Sequence, residues 1–282
     1  MILLADSGST KTDWVAMHEG KVVVSFRTAG LNPYYITIDE GVRLLRQAFD
    51  YHIEPDAVGR VFFYGAGCMK ASRAALIKEI LQEVLPGKAI EVASDLLAAS
   101  RALFDNRKGI ACILGTGASV CSYNGQQIHE HIPSLGYLFG DEGSGAHLGK
   151  TYIDKHLRGL ILPEVTTCFD QEIGLSNEEI LTQLYNHKSP NRFLASFAPF
   201  IRSQIQHPEI HQLVNACFQA FFRTQLMKLQ DWENHEIGMV GSVACHFSDL
   251  LHEAAHAEGL KIQQIIRSPI EGLMRYHAQS SA

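Results

Sequence analysis

Two short segments rich in glycine and hydroxyl side chains have the composition of phosphate-binding turns. Residues 6–12 read DSGSTKT and residues 115–119 read GTGAS. Each segment lies between two predicted strands, which excludes a Walker A loop and a dinucleotide-binding turn, because both of those join a strand to a helix. A single turn of this kind is usually only a hairpin. Two such turns at corresponding places predict that backbone N–H groups, hydroxyls and Lys11 bind the phosphates of one nucleotide from both sides.

Two carboxylates stand at strand ends where they could take part in phosphoryl transfer. Asp6 ends the first predicted strand and could hold Mg²⁺ through water, because Mg²⁺ dehydrates reluctantly. Its alternative role is an Asx turn that binds the following N–H groups. Asp95, in VASDLLAAS, lies between a strand and a helix. It is either the N-cap of that helix or a general base that takes a proton from a hydroxyl attacking a γ-phosphate.

Two further glycine segments could contact a ligand. Residues 136–145, GYLFGDEGSG, contain four glycines and the adjacent carboxylates Asp141 and Glu142 just before a predicted helix. The glycines would let the backbone approach a ligand, and either carboxylate could accept hydrogen bonds from hydroxyls. The alternative is an acidic helix start favoured by the helix dipole. Gly241 and Ser242 follow a strand in MVGSVA, where a glycine could pack against a base or ribose.

The elements that must position these residues repeat once along the chain. Three antiparallel strands come first, and then helix 38–50, a strand, helix 70–84, a strand, a helix from residue 95 and a strand from residue 109. Residues 2–16 align without a gap with residues 111–125, which places Gly8 over Gly117 and Trp14 over Tyr123. Four helices are predicted downstream, at 142–159, 177–187, 192–206 and 209–232, before strand and helix order returns. The pattern predicts an α/β fold of two related lobes, residues 1–108 and 109–282, with a helical insertion in the second lobe and a last helix that packs on the first.

Composition narrows the class of protein. The chain has 282 residues, a net charge of −6, 46% hydrophobic residues and 19% charged residues. These values fit one or two globular domains and argue against a disordered chain, a nucleic-acid-binding surface or an anionic-membrane partner. The six cysteines show no C-x-x-C pair, which disfavours disulfides, structural zinc and a metal cluster. With no long apolar run and no basic leader, the sequence predicts a soluble cytoplasmic protein.

Four motifs together resemble those of a known superfamily. DSGSTKTDW, GTGASV, GYLFGDEGSGAHLGK and MVGSVA resemble the phosphate-1, phosphate-2, substrate-lobe and adenosine motifs of the acetate and sugar kinase/heat-shock ATPase/actin superfamily. The most similar branch is the N-acetylglucosamine kinase-like group of the BadF/BadG/BcrA/BcrD ATPase family. The resemblance implies two ribonuclease-H-like lobes with a central cleft, ATP and Mg²⁺ as cofactors, and phosphate transfer to the 6-hydroxyl of an amino sugar. It also implies a homodimer.

The resemblance assigns a role to each candidate residue. It assigns ATP binding to Gly8, Ser9, Thr10, Lys11, Gly115, Thr116, Gly117, Gly241 and Ser242. Asp6 would hold Mg²⁺ through water, and Asp95 would be the catalytic base. Sugar binding would fall to Asn32, Gly65, Gly67, Asp95 and Asp141.

Two departures from the family pattern leave alternatives open. Leu135 stands where sugar kinases of this group tend to carry Trp, and the chain is shorter than typical members, so the resemblance does not fix the sugar. The first alternative is a kinase for another small hydroxylated metabolite. The second is an ATP-hydrolysing switch that acts on a protein partner, although the cluster-binding cysteines of the activator ATPases have no counterpart here. A catalytically silent homologue is the third, and the retained Asp6 and Asp95 argue against it.

Overall fold

A computed structural model describes residues 1–8 and 10–279, so the predicted phosphate ligand Ser9 lies outside the described residues. The strands are β1 (Ile2–Ser7), β2 (Lys11–His18), β3 (Lys21–Ala29), β4 (Arg60–Gly65), β5 (Ala89–Ser94), β6 (Gly109–Leu114), β7 (Ala118–Tyr123), β8 (Ile128–His131), β9 (Ile237–Val240) and β10 (Ile262–Ile266). The helices are α1 (Ile38–His52), α2 (Ala71–Val84), α3 (Asp95–Phe104), α4 (Gly136–Phe139), α5 (Gly145–Leu157), α6 (Pro163–Ile173), α7 (Asn177–Asn186), α8 (Pro190–Ala195), α9 (Ala198–Ser203), α10 (Pro208–Thr224), α11 (Ser242–His246), α12 (Ser248–Ala257) and α13 (Ile270–Gln279).

The chain forms two compact units. Unit 1 comprises Met1–Arg107, Asn124–Ile128 and Ser268–Ala282, and unit 2 comprises Lys108–Tyr123 and His129–Arg267. Across the described residues, none of the helices combines the length and the hydrophobicity needed to cross a lipid bilayer.

Unit 1 is built on a five-stranded mixed sheet in the order β3-β2-β1-β4-β5. Strands β1, β4 and β5 run parallel, and β2 and β3 run antiparallel to their neighbours. One face packs an aromatic cluster of Trp14, Phe26, Phe49 and Phe63 together with apolar residues of α1 and α2. The other face is covered by α3 and α13, which contact each other and include the buried Leu273. Because the sheet is covered on both faces, its central strands are almost wholly apolar.

Unit 2 has the same architecture on its own sheet. The strand order is β10-β9-β6-β7-β8, so the first strand of the unit again lies at the centre, between an antiparallel and a parallel neighbour. Helices α4–α10 lie between β8 and β9 in the chain and form the predicted helical insertion. Phe218, Phe221 and Phe222 on α10 are all buried in the core of this unit, as their helical spacing predicts. The α/β fold class expected from the sequence is confirmed, and each unit has a five-stranded sheet.

Several helix boundaries differ from the sequence prediction for identifiable reasons. The predicted helix 192–206 is two helices, α8 and α9, because Pro199 at the second position of α9 has no N–H to donate to the preceding turn. The predicted helix 209–232 ends at Thr224, after which short 3₁₀ turns follow. Helix α6 was not predicted, although Pro163 stands at its first position, where proline is favoured.

The gapless alignment of the two repeats is also wrong in detail. Ser7 pairs with Thr12 across the first hairpin, whereas Leu114 pairs with Ala118 across the second. The second turn is therefore one residue shorter than the first. The predicted alignment also fails to place Ser7, the last residue of β1, over Leu114, the last residue of β6. A turn tolerates such a change because only the strands on either side are fixed by the sheet.

Candidate functional site

In unit 1 the candidate residues meet at one edge of the sheet. Ser7 on β1 pairs with Gly65 on β4, and Gly65 pairs with Ser94 on β5. Because these three strands are parallel, their carboxyl ends lie side by side. The register therefore brings three candidate residues from distant segments, Asp6, Gly65 and Asp95, to the same edge.

Asp6 is a half-buried carboxylate in an electrostatic setting that favours a cation. Its Oδ2 accepts a hydrogen bond of 3.4 Å from the Ser268 hydroxyl. Burial raises its pKa to about 7, with further increases from the negative charges of Asp95 and Asp13 that Lys11 and the Ser268 bond only partly offset. Negative charges held close together in a partly desolvated place are stabilised by a divalent cation. The donor set thus fits Mg²⁺.

The same edge does not form a closed metal cage. Within the described residues, no group of three or more His, Cys, Asp or Glu side chains is arranged to hold a metal ion. Mg²⁺ usually keeps several waters and takes only one or two carboxylates, with phosphate oxygens completing the site. The role of Asp6 in holding Mg²⁺ through water stays a prediction.

Asp95 is the first residue of α3 and does not cap it. The N-cap is Ser94, whose Oγ accepts a hydrogen bond from the N–H of Leu97 at 3.3 Å. The N-cap interpretation of Asp95 is therefore wrong. The Asp95 Oδ1 accepts from the N–H of Leu96 at 3.0 Å. Burial raises the pKa of Asp95 to about 6 and this backbone bond lowers it in part, so the group remains mainly ionised at neutral pH.

Cys68 lies near Asp95 at this edge of the sheet. It is buried, and its pKa is raised to about 12 by burial and by the negative charge of Asp95. The thiol is therefore a neutral wall residue and not a nucleophile. Neither Cys68 nor Ser268 was a candidate from the sequence, since neither stands in a motif.

The first glycine turn is braced by its own hydroxyls. The Ser7 and Thr12 hydroxyls are buried and 2.8 Å apart, and Ser7 Oγ also accepts from the N–H of Leu31 at 3.0 Å. Gly8 closes the turn by donating its N–H to the Lys11 carbonyl at 2.9 Å. The hydroxyls at the strand ends therefore hold the hairpin, while Gly8 and Thr10 are exposed.

Lys11 is engaged in an ion pair in unit 1. Its ammonium group contacts the carboxylate of Asp13, which also accepts from Arg27. Burial raises the pKa of Asp13, but the hydrogen bonds from Lys11 and Arg27 outweigh this effect, so its pKa is lowered. The Lys11 side chain remains about half exposed, at 52%, so the ion pair leaves part of it accessible to solvent. Its predicted role in ATP binding stays a prediction.

The predicted sugar residues Asn32 and Gly67 lie against each other. Asn32 is buried, and its Oδ1 accepts from the N–H of Tyr34 at 3.0 Å. Gly67 has a φ of +82°, and a Cβ there would lie 3.2 Å from Asn32 Oδ1 and 3.0 Å from the Tyr34 ring. Only glycine combines this backbone conformation with so close an approach. The loop after β4 is thus packed onto the loop that follows β3.

In unit 2 the second glycine turn is tied to the start of α5. The N–H of Gly145 donates to the Gly115 carbonyl at 2.8 Å, and the N–H of Ala146 donates to the Thr116 carbonyl at 3.1 Å. The turn carbonyls are thereby satisfied by the first N–H groups of a helix. Within the described residues, the N–H groups of Thr116 and Gly117 have no protein acceptor. These two donors fit the predicted binding of phosphate oxygens.

Asp141 packs directly against this second turn. Its Oδ1 accepts from the N–H of Ala118 at 3.3 Å and from the Ser134 hydroxyl at 3.2 Å, and a Cβ on Gly117 would lie 3.1 Å from its Oδ2. Asp141 is a non-glycine residue at a φ of +58°. Burial raises its pKa, which the bond from Ala118 lowers in part. The contact with Gly117 has no signal in the sequence, and the role of Asp141 in sugar binding stays a prediction.

The adenosine motif adjoins the second turn as well. Gly241 has a φ of +133°, and a Cβ there would lie 2.1 Å from the Leu114 carbonyl oxygen. Because β6, β9 and β10 are parallel, Gly241 follows β9 at the same edge where β6 runs into Gly115. Ser242 is exposed and begins α11. The structure therefore brings the predicted phosphate-2 and adenosine residues together in unit 2.

Comparison with known proteins identifies the family. No family model and no curated protein matches the sequence. A solved structure from Porphyromonas gingivalis, described as a candidate N-acetylglucosamine kinase, is 39% identical, with 100% of each chain covered and a TM-score of 0.95. The chain belongs to the N-acetylglucosamine kinase-like family.

More distant structures share the fold of this family member. A candidate N-acetylglucosamine kinase from Chromobacterium violaceum is 18% identical, with 98% of each chain covered and a TM-score of 0.73. A ROK family glucokinase from Streptomyces griseus, solved with glucose and AMPPNP, is 15% identical, with 97% of each chain covered and a TM-score of 0.56. At these identities the likeness establishes the fold alone, and that fold is the one predicted from the four motifs.

Proposed function

We propose that the chain is an ATP-dependent kinase that transfers the γ-phosphate of ATP to a hydroxyl of N-acetylglucosamine or a related hexosamine, at the 6-position. The observation that carries this proposal is the position of Asp95. It is an ionised carboxylate in the first turn of α3, and it does not cap the helix because Ser94 does so. It lies at the same sheet edge as Asp6 and as the loop after β4, which packs on Asn32. The 39% identical relative is described as a candidate N-acetylglucosamine kinase, which supports the choice of acceptor.

The proposed roles follow from the chemistry of each group. Asp95 accepts the proton of the sugar hydroxyl as the hydroxyl oxygen attacks phosphorus, and its raised pKa of about 6 lies near the working pH, where a general base is most effective. Asn32 orients the acceptor sugar. The N–H groups of Thr116 and Gly117 bind phosphate oxygens, and Gly241 and Ser242 face the adenosine. Mg²⁺, when bound near Asp6, supplies neutralisation of the phosphate charge.

Charge neutralisation and positioning carry most of the proposed catalysis. Phosphoryl transfer needs little covalent participation from the protein. The two glycine turns and the carboxylates Asp6 and Asp95 therefore act mainly by orienting the two reactants. Mg²⁺, a homodimer and a cytoplasmic location stay predictions.

The proposal is tested by measuring ADP release with ATP, Mg²⁺ and a panel of sugars. The panel contains N-acetylglucosamine, N-acetylmannosamine, glucosamine and glucose, and the product of the best sugar is examined by phosphorus NMR. We expect N-acetylglucosamine or another hexosamine to give the highest kcat/KM, with a phosphomonoester on the 6-hydroxyl. ADP release that no sugar raises above the basal rate would refute the kinase and favour a nucleotide switch. A product phosphorylated elsewhere would refute only the 6-position.

A further inference from the structure

The loop that carries Asn32 is organised around Tyr34. The N–H of Tyr34 donates to the Asn32 side-chain oxygen, and the N–H of Tyr35 donates to the Asn32 carbonyl, each at 3.0 Å. These bonds couple the orientation of the Asn32 side chain to the position of the two tyrosines. Any group that fixes Tyr34 therefore also fixes Asn32.

Arg73, near the start of α2, contacts both Tyr34 and the residue before it. Its Nη1 donates to the carbonyl of Pro33 at 3.0 Å, and its guanidinium lies over the Tyr34 ring at 4.5 Å from the ring centroid. The Tyr34 ring also meets Gly67, whose Cα leaves no room for a side chain. Arginine suits this place because one planar group can donate a hydrogen bond and stack on an aromatic ring together, which an ammonium group cannot do.

We propose that Arg73 is a positioning residue for the acceptor sugar. It acts through Tyr34 and Pro33 to hold Asn32 in its binding orientation, and it does not itself contact the reacting atoms. This inference rests on the proposed kinase function. All of the contacts of Arg73 belong to the loops after β3 and β4 and to α2. A change at Arg73 should therefore affect binding of the sugar and not binding of ATP.

The kinetic test compares Arg73→Ala, Arg73→Lys and Lys78→Ala with the wild type. Lys78 is an exposed lysine on the same helix and serves as the control for loss of a positive charge. We expect Arg73→Ala to raise the KM for the sugar roughly tenfold, equivalent to about 1.4 kcal/mol, with kcat and the KM for ATP changed less than about twofold. Arg73→Lys should recover part of the loss, because Lys can donate to Pro33 but stacks less well. Lys78→Ala should match the wild type.

Hydrogen exchange gives a readout that does not depend on activity. The amides of Tyr34 and Tyr35 should lose protection in Arg73→Ala, while amides of the β1–β2 hairpin keep theirs, because only the loop after β3 is released. Unchanged protection at these two amides, or a sugar KM within twofold of the wild type, would overturn the role of Arg73. An equal rise in the KM for ATP would also overturn it. If no sugar raises ADP release by the wild type, the proposed function itself fails. If the wild type is active and Arg73→Ala behaves like it, only the role of Arg73 fails.

Discussion

Replacing Asp95 by Asn removes the proposed base while keeping the size of the side chain. A carboxyl group with a pKa of about 6 is about nine-tenths ionised at pH 7, so the wild type holds a base that is ready to accept a proton. Asn cannot accept that proton. General-base catalysis contributes about 10²- to 10⁴-fold to rates, so kcat should fall by that factor, which raises the activation barrier by about 3–5 kcal/mol.

The variant should still fold, which makes its activity interpretable. Ser94 remains as the N-cap of α3 when Asp95 is changed. Loss of a carboxylate from the first turn of a helix costs about 0.3–1 kcal/mol through the helix dipole. Removal of the negative charge beside Asp6 offsets part of that cost, because the two carboxylates repel each other. We therefore expect the melting temperature to change by only a few degrees.

The assay is coupled ADP release at saturating ATP and sugar, with Asp50→Asn as the matched control. Asp50 is an exposed carboxylate on α1, so its loss should leave kcat unchanged. If Asp95→Asn keeps kcat within tenfold of the wild type at the same melting temperature, Asp95 is not the base. The fold and the family would stand, and the proton would have to leave by another route.

Three further predictions concern the metal, the pH dependence of stability and helix packing. Asp6→Asn should raise the Mg²⁺ concentration for half-maximal activity by roughly 10- to 100-fold, as loss of outer-sphere ligands does, and an unchanged Mg²⁺ titration would contradict the assignment. The pKa of His277 is lowered to about 4 by burial and two nearby arginines, so the unfolded chain binds its proton first as the pH falls. The free energy of unfolding should therefore drop by about 1–2 kcal/mol between pH 7 and pH 5, and urea titrations of His277→Gln should show less of this drop. Gly149→Ala would place a Cβ 1.9 Å from the Leu194 carbonyl oxygen and should destabilise the protein by about 1–3 kcal/mol in urea, whereas Gly59→Ala, with a nearest contact of 3.6 Å, should not.

The sequence predicts local features of this chain well. Glycine and hydroxyl residues between apolar runs locate the first hairpin of each unit, and apolar spacing locates α1, α2 and α10. Asp95 is correctly placed at a strand-to-helix junction, because capping and dipole preferences act over a few residues. What the sequence leaves open is whether Asp95 provides the cap, and in the structure its neighbour Ser94 does so. Either residue type can cap, and the choice depends on where β5 ends.

Contacts between distant segments could not be predicted. Arg73 contacts Pro33 and Tyr34 about forty residues away in the chain. Asp141 meets Gly117 only because residues 136–144 fold back onto a hairpin. Neither arginine nor aspartate has a spacing that signals its partner when only one sequence is read. The sheet register and the packing of α2 create these contacts, and both are tertiary properties.

The two glycine turns share a topology but not a chemistry. In unit 1 the central strand ends with Asp6 and Ser7, so the carboxylate belongs to the strand and the hydroxyl of Ser7 braces the turn. In unit 2 the central strand ends with the apolar Ile113 and Leu114. There the carboxylate comes from Asp141, which reaches the turn from another loop and uses its Oδ1 to bind the N–H of Ala118. Asp141 thus holds the backbone of the second turn, whereas Asp6 stands at a strand end beside the negative charges of Asp95 and Asp13, a setting that a cation would stabilise. From these differences we predict that the carboxylate of unit 1 holds Mg²⁺, whereas the second turn of unit 2 offers its N–H groups to phosphate.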